Sequence, residues 1–265
     1  MKLISSSKNS EIKKLRLLFD KSRERKKQGL FVIEGKRELQ KAIEGNYHID
    51  TIFLEEGSLA EHQEIRSLLE QDQSIEVDKS IFEQICRRSG TEKIIAIAKS
   101  KTHHLEEFIL TNNALVLVIE APEKPGNIGA LYRTAKAANL DGVIIANPKT
   151  DFYNPNSIRS SLGSLFLLPT AIASTKEVIA FLNQKDFAIA TTSLKSNAVP
   201  YNLFDYKTPC ALVMGAESTG LENHWSKSSH HNLIIPMNTS IDSLNLSVSA
   251  GILMYEAALK NNRLE

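Results

Sequence analysis

The chain has 265 residues, 42% hydrophobic and 24% charged, with 32 Lys and Arg against 31 Asp and Glu. Those proportions exclude a disordered chain, a collagen-like fibre and a coiled-coil rod, and the length is that of about two domains or one large one. The longest apolar runs, 114–119 and 143–146, fall far short of the roughly 20 residues that cross a bilayer. The opening stretch Met1-Lys2-Leu3-Ile4-Ser5-Ser6-Ser7-Lys8 has neither a long apolar segment nor a small-residue cleavage pattern, so no secretory signal and no membrane partner is expected. Cys86 and Cys210 are too few and too far apart for a disulfide framework or a four-ligand zinc site, which points to a reducing, cytoplasmic setting.

Charge is unevenly distributed. Residues 1–105 hold 20 basic and 17 acidic side chains and the remainder 12 and 14, so the basic surplus lies in the first part. It is densest at Lys21-Ser22-Arg23-Glu24-Arg25-Lys26-Lys27, after Lys13, Lys14 and Arg16. Such a stripe can neutralise several phosphates of a nucleic acid, and it is equally the solvated face of a helix.

In chain order, residues 8–27 read as a basic amphipathic helix with Ile12, Leu15, Leu17 and Leu18 on its apolar side. Strands are expected at 31–33, 49–55, 74–77 and 94–98, alternating with helices at 36–44, 62–71 and 80–88, which is a small α/β layer structure. Residues 99–104 read as a polar linker, so the domains are expected at 1–105 and 106–265. The second part opens on Ala114-Leu115-Val116-Leu117-Val118-Ile119, a continuous apolar strand of the kind covered on both faces. A helix at 128–138, a strand at 143–146, a helix or turn near 157–162, a helix at 176–184, and strands at 187–191, 210–214 and 233–235 follow. A long final helix spans 245–260. This is a mostly parallel sheet with helices on both faces, where ligands bind beyond the carboxyl ends of the strands.

Three loops follow strand ends. In the first, Pro125-Gly126-Asn127-Ile128-Gly129-Ala130-Leu131-Tyr132-Arg133-Thr134-Ala135, the loop opens a helix whose free N–H groups face an occupant. Asn127 reads as its N-cap, and Arg133 lies about one turn inside. The glycine spacing is not that of a dinucleotide fingerprint, which disfavours a nicotinamide oxidoreductase. In the second, Leu212-Val213-Met214-Gly215-Ala216-Glu217-Ser218-Thr219-Gly220-Leu221, Gly215 bares its backbone where the strand ends and Glu217 follows; a plain strand–loop–helix connection reads the same way. The third holds Ile235-Pro236-Met237 and then Ser243-Leu244-Asn245-Leu246-Ser247, where Asn245 and Ser247 begin the last helix and N-capping alone would account for them.

Taken together, the order, spacing and strand contexts of the three loops resemble the three motifs of the SpoU (TrmH-like) RNA ribose methyltransferases, over about residues 113–260. Asn154-Pro155-Asn156-Ser157-Ile158-Arg159-Ser160 also resembles the family, and Phe31-Val32-Ile33-Glu34-Gly35-Lys36-Arg37 resembles the start of a ribosomal-protein-like RNA-binding domain. The resemblance implies an α/β fold with a deep trefoil knot, an exception to unthreaded connections. It also implies S-adenosylmethionine as cofactor, a homodimer with the site near its interface, and transfer of a methyl group to a ribose 2′-hydroxyl. It further implies cofactor contacts at Gly215, Ile235 and Leu244, with Met237 in the same loop and Thr191 and Thr192 at a neighbouring strand end. By the same resemblance Arg133 activates the hydroxyl and clamps phosphate, Asn127 holds the loops or the ribose, Glu217 orders the Arg133 region, and Asn245 and Ser247 position substrate. No metal is implied. Ribosomal RNA is the expected substrate ahead of transfer RNA, and a non-catalytic RNA-binding assembly factor of the same fold is the alternative. His103-His104 and His230-His231 read as surface histidines, both cysteines as core thiols, and Trp225 as packing at the interface or near the pocket.

Overall fold

A computed structural model describes residues 2–66, 73–87, 92–192, 198–216, 220–221, 223–228, 231–238, 240–241 and 243–264. Contacts divide the chain into two units: the chain up to Thr102 with Tyr153–Leu167, and His103–Phe152 with Leu168–Glu265. A cut into 1–105 and 106–265 would have put Tyr153–Leu167 in the second part.

The first unit holds a five-stranded mixed sheet. Its strands are β1 (Lys2–Ile4), β2 (Leu30–Glu34), β3 (Ile49–Glu55), β4 (Ser74–Val77) and β5 (Ile94–Lys99), in the order β1-β4-β3-β5-β2. Strand β5 is antiparallel to both its neighbours, while β1, β4 and β3 run parallel. The expected single helix at 8–27 is two, α1 (Ser10–Asp20) and α2 (Ser22–Gln28), because Lys21 adopts an extended backbone. Ile12, Leu15 and Leu18 are fully buried as expected, whereas Leu17 faces solvent. Arg25 leaves the basic stripe: it is buried and donates to the carbonyls of Leu18 and Phe19, satisfying carbonyls at the end of α1. Helix α3 (Lys36–Glu44) forms where expected. Of the helix expected at 62–71, the 3₁₀ turn Leu59–His62 and α4 (Gln63–Arg66) are seen, and 67–71 lies outside the described residues. The next, α5, spans Lys79–Ile85, and Arg88 also lies outside them.

The second unit holds a seven-stranded, wholly parallel sheet in the order β10-β12-β9-β11-β6-β7-β8. Its strands are β6 (Leu115–Glu120), β7 (Gly142–Ala146), β8 (Thr170–Ala173), β9 (Ala188–Thr192), β10 (Val199–Pro200), β11 (Cys210–Met214) and β12 (His231–Ile234). Strands β6, β7 and β11 are buried along their whole length, which explains why they are apolar throughout except for Glu120 at the end of β6. Two strands of this unit, like β1 of the first, escaped the sequence reading. Strand β8 is short and half-buried, and β10 has two residues, so neither carries a periodic signal. The helices of this unit include α6 (Pro125–Ala137). Helix α7 (Pro155–Ser161) belongs to the Tyr153–Leu167 stretch of the first unit, where Tyr153 stacks on Phe31 at 4.2 Å between ring centres. Helix α8 (Thr175–Gln184) opens on a capping box between Ser174 and Glu177. The short α9 (Asn223–Ser228), also not anticipated, precedes the last helix, α10 (Leu246–Lys260). Among the described residues no helix is long and apolar enough to cross a membrane.

Candidate cofactor and active site

Because every strand of the second sheet runs the same way, the carboxyl ends of β9, β11 and β12 lie side by side. The loops leaving them enclose a cavity of about 610 Å³, within the range of small-molecule sites. The β9 end contributes Thr192, the β11 end Met214, Gly215 and Ala216, and the β12 end Leu233, Ile234 and Ile235. Gly220, Leu221, Met237 and the approach to α10 (Ser243, Leu244, Asn245, Leu246, with Ser249) complete the wall. The lining is apolar with a few hydroxyls, one side-chain amide and exposed strand-end backbone, the chemistry that suits a purine nucleoside joined to an amino-acid chain.

Two backbone devices shape the wall. Ala216 and Gly220 exchange backbone hydrogen bonds of 3.1 and 2.9 Å, which tie these two wall residues together. Gly215 lies so close that a Cβ there would collide with the Gly220 carbonyl group, so only glycine fits. Glu217, with Ser218 and Thr219, lies outside the described residues.

The structure gathers Gly215, Ile235, Met237, Leu244 and Asn245 on this wall. Asn245 caps α10: its Oδ1 accepts from the Ser247 backbone N–H at 2.9 Å and from the Ser247 hydroxyl at 2.6 Å. Ser247 itself does not line the cavity; Ser249, one turn past the cap, does. At the β9 end the lining residue is Thr192 and not Thr191, because neighbouring strand residues face opposite ways. Thr191 is buried and donates to the His231 carbonyl at 3.2 Å; Thr192 donates to the Val213 carbonyl at 3.2 Å.

Asn127 is not the N-cap of α6. The helix starts two residues earlier, with Pro125 in its first turn and Lys124 as cap, so Asn127 sits inside the first turn and its N–H donates to the Lys124 carbonyl. Proline's fixed φ and missing N–H favour the first helical position, which outweighed the capping preference of asparagine. Arg133 consequently lies about two turns along α6, exposed and outside the cavity wall. On α6, Thr134 faces α10, where it lies against Gly251.

The lining residues missed in the sequence, Met214, Leu221, Ser243 and Ser249 among them, flank the motif glycines and lack individual chemical signatures; strand-end position was the one available signal. A larger hollow of about 720 Å³ is lined by Phe108, Phe181, Phe187 and Pro209. It opens at the amino ends of β6, β9 and β11, the end of a parallel sheet that ligands do not favour. Among the described residues no group of three or more metal-ligating side chains occurs.

Comparison with known proteins agrees with this geometry. The model of the SpoU rRNA Methylase family matches residues 114–255, and that of the MRM3-like substrate binding domain matches residues 9–96. The chain is 29% identical to the Bacillus subtilis (strain 168) 23S rRNA (guanosine(2553)-2'-O)-methyltransferase RlmP, over 96% of this chain and 98% of that protein. It is 27% identical to the 23S rRNA (uridine(2479)-2'-O)-methyltransferase of Streptomyces viridochromogenes, over 95% and 90%. The crystal structure of an AdoMet-bound rRNA methyltransferase from Sinorhizobium meliloti superposes with a TM-score of 0.90 at 26% identity, covering 100% of this chain and 99% of that one. The wholly parallel sheet, the glycine-walled cavity at its strand ends and the match over more than half the chain lead to one conclusion: this chain belongs to the SpoU rRNA methylase family.

Proposed function

We propose that the chain transfers the methyl group of S-adenosylmethionine to a ribose 2′-hydroxyl of ribosomal RNA. The observation that carries this reading is the cavity at the ends of β9, β11 and β12, which joins Gly215, Ile235, Leu244 and Asn245 in one wall. When bound, S-adenosylmethionine supplies a methyl group on a sulfonium centre that is already electrophilic. The bare backbone at Gly215 and the main-chain groups at Ile235 and Leu244 hold the cofactor; Met237 and Thr192 flank it. The naming of relatives as 23S rRNA methyltransferases favours ribosomal over transfer RNA.

Attack requires the hydroxyl to shed its proton while aligned with the departing sulfur, and positioning supplies much of the rate. Arg133, exposed on α6, brings a permanent cation that clamps phosphate and stabilises the developing oxyanion. Asn127 and Asn245 orient the ribose or the loops around it, Ser247 supports Asn245, and Glu217 orders the Arg133 region. Because Arg133 does not line the cavity of its own chain, it serves the cavity of a second copy in a homodimer. A stripe along α10 supports that assembly: Val248, Tyr255 and Leu259 are 51%, 42% and 59% exposed, at spacings that place them on one helix face. The 106–265 part is the knotted catalytic domain of the family. The 1–105 part selects the RNA site, with the exposed Lys13, Arg23, Lys26 and Lys27 near phosphates. The protein works in the cytoplasm, where ribosomal RNA is.

The test is methyl transfer from labelled S-adenosylmethionine to ribosomal and transfer RNA taken from cells lacking the protein, with Arg133→Ala in parallel. Label in ribosomal RNA that makes one linkage resistant to alkali, absent with the variant, is the expected result. Label confined to transfer RNA would replace the substrate. Absence of both transfer and cofactor binding would favour an RNA-binding assembly factor. Gly215→Val, which drives a side chain into the Gly220 backbone, is expected to abolish cofactor binding measured by calorimetry.

A further inference from the structure

We propose that Glu120 and Trp225 are positioning residues for the cofactor, acting as a latch that holds Gly220 and Leu221 in place on the cavity wall; this rests on the reading of the cavity as the S-adenosylmethionine site. Glu120 is the last residue of β6 and is 1% exposed. Its carboxyl group receives hydrogen bonds from three other segments. The Trp225 indole Nε1–H donates to Oε2 at 2.7 Å. The Thr175 hydroxyl, at the start of α8, lies 2.9 and 2.8 Å from the two oxygens, and Asn147 Nδ2, just past β7, lies 3.4 Å from Oε1 and 2.6 Å from Thr175 Oγ1. All three donors are neutral. A carboxyl group withdrawn from water, with no cationic partner among the described residues, is costly to bury, and an apolar side chain would fill the same space at less cost. Its presence calls for something the hydrogen bonds do that packing would not.

What they fix is α9. Trp225 is fully buried in the core cluster that includes Val118, Val178 and Val213, and Leu221 packs against the same cluster. Leu221 and Gly220 in turn line the cavity wall directly beside Gly215. The described wall residues Gly215, Ala216, Gly220 and Leu221 therefore have two anchors. One is the ladder of β11, which pairs with β6 and β9 on either side. The other is the indole, four residues past Leu221, pinned to the end of β6 by one directional bond. The Ala216–Gly220 pair transmits position between them. Neither Glu120 nor Trp225 lines the cavity, so their influence is on where the Gly220 and Leu221 backbone stands.

The test is the calorimetric affinity of the full chain for S-adenosylmethionine, with melting temperature and kcat at saturating cofactor measured alongside. Trp225→Phe, which removes the indole donor, and Glu120→Leu, which removes the acceptor, are each expected to weaken binding about tenfold. At saturating cofactor kcat is expected to stay within about twofold, since only binding is affected. Glu120→Gln restores affinity, because an amide keeps one acceptor for the indole and offers a donor to Thr175. Thr175→Val removes a donor from the same carboxyl group on the α8 side; it is expected to lower the melting temperature yet leave affinity within about twofold. Equal weakening by Thr175→Val and Trp225→Phe would reduce the network to general stability and overturn the latch, as would unchanged affinity in Trp225→Phe. If Glu120→Leu does not fold, Trp225→Phe decides alone. Full cofactor binding by Gly215→Val would instead overturn the assignment of the cavity, an outcome that the Glu120 and Trp225 variants cannot produce.

Discussion

Asn245 spends its side-chain oxygen on Ser247, accepting both the backbone N–H and the hydroxyl at 2.9 and 2.6 Å. Two residues that a motif reading treats as separate contributors thus form one cap at the start of α10, on the rim of the cavity. Cap and substrate roles are separable by chemistry. Asn245→Asp keeps the oxygen acceptor and is expected to melt close to wild type, while methyl transfer falls because the amide N–H₂ is gone. Asn245→Ala loses both, with destabilisation of about 1 kcal/mol, the usual worth of an N-cap. Thermal melts and single-turnover transfer on the two variants check this.

The α10 stripe makes oligomeric state a second handle. Leu259→Glu places a charge on the exposed apolar face and is expected to give a monomer by light scattering. On the proposed homodimer it is expected to bind S-adenosylmethionine normally and not to methylate RNA, because Arg133 would no longer reach a partner's cavity. Mixing it with Arg133→Ala is expected not to restore activity, since on the proposed homodimer the Leu259→Glu chain would not pair.

The basic residues of the first unit divide by burial. Arg25, which holds the carbonyls of Leu18 and Phe19, is expected to cost about 2–4 kcal/mol of stability when replaced by alanine, since it leaves buried carbonyls unpaired. Arg23→Ala, Lys26→Ala and Lys27→Ala are expected to be neutral for stability. Each lowers RNA affinity and reduces the slope of log K against log salt by about one unit if it contacts a phosphate. Urea titration and filter binding at several salt concentrations separate the two groups.

His62 links stability to pH. Burial pushes its pKa below 6.5, and the neighbouring Glu61 only partly offsets this. At a pH above the ordinary histidine value both folded and unfolded chains hold a neutral ring. As pH falls through that value toward the folded pKa, the unfolded chain takes up a proton that the folded chain refuses, so stability is lost. Melting temperature is therefore expected to decline as pH falls below the ordinary histidine value of 6.5, and the His62→Gln variant to decline less over the same fall.

Burial pushes the Cys210 thiol up to about 12, in the middle of a parallel sheet. Native protein treated with a thiol reagent at neutral pH is expected to label Cys86, which is half-buried, and to label Cys210 only after denaturation.

Much of this was written locally. The unbroken apolar run of β6, the period of α3, and the strand–loop order around Gly215 and Asn245 each follow from a few neighbouring residues. So did the family resemblance, because motif glycines and prolines answer to local backbone demands. Local rules failed where two of them competed or where distant chain intervened. Pro125 overrode Asn127 at the start of α6, and an extended Lys21 split one expected helix into two. The grouping of Tyr153–Leu167 with the first unit depends on Phe31 stacking on Tyr153, residues far apart in sequence. The choice of Thr192 over Thr191 depends on which face of β9 the neighbouring ends of β11 and β12 leave open. The Glu120 network depends on bringing β6, α8 and α9 together across more than a hundred residues. Composition and spacing determined the class of protein and the address of its loops. Burial, facing and long-range hydrogen bonding, which exist only once the sheet has assembled, decided which side chains stand at the cavity and which hold it in place.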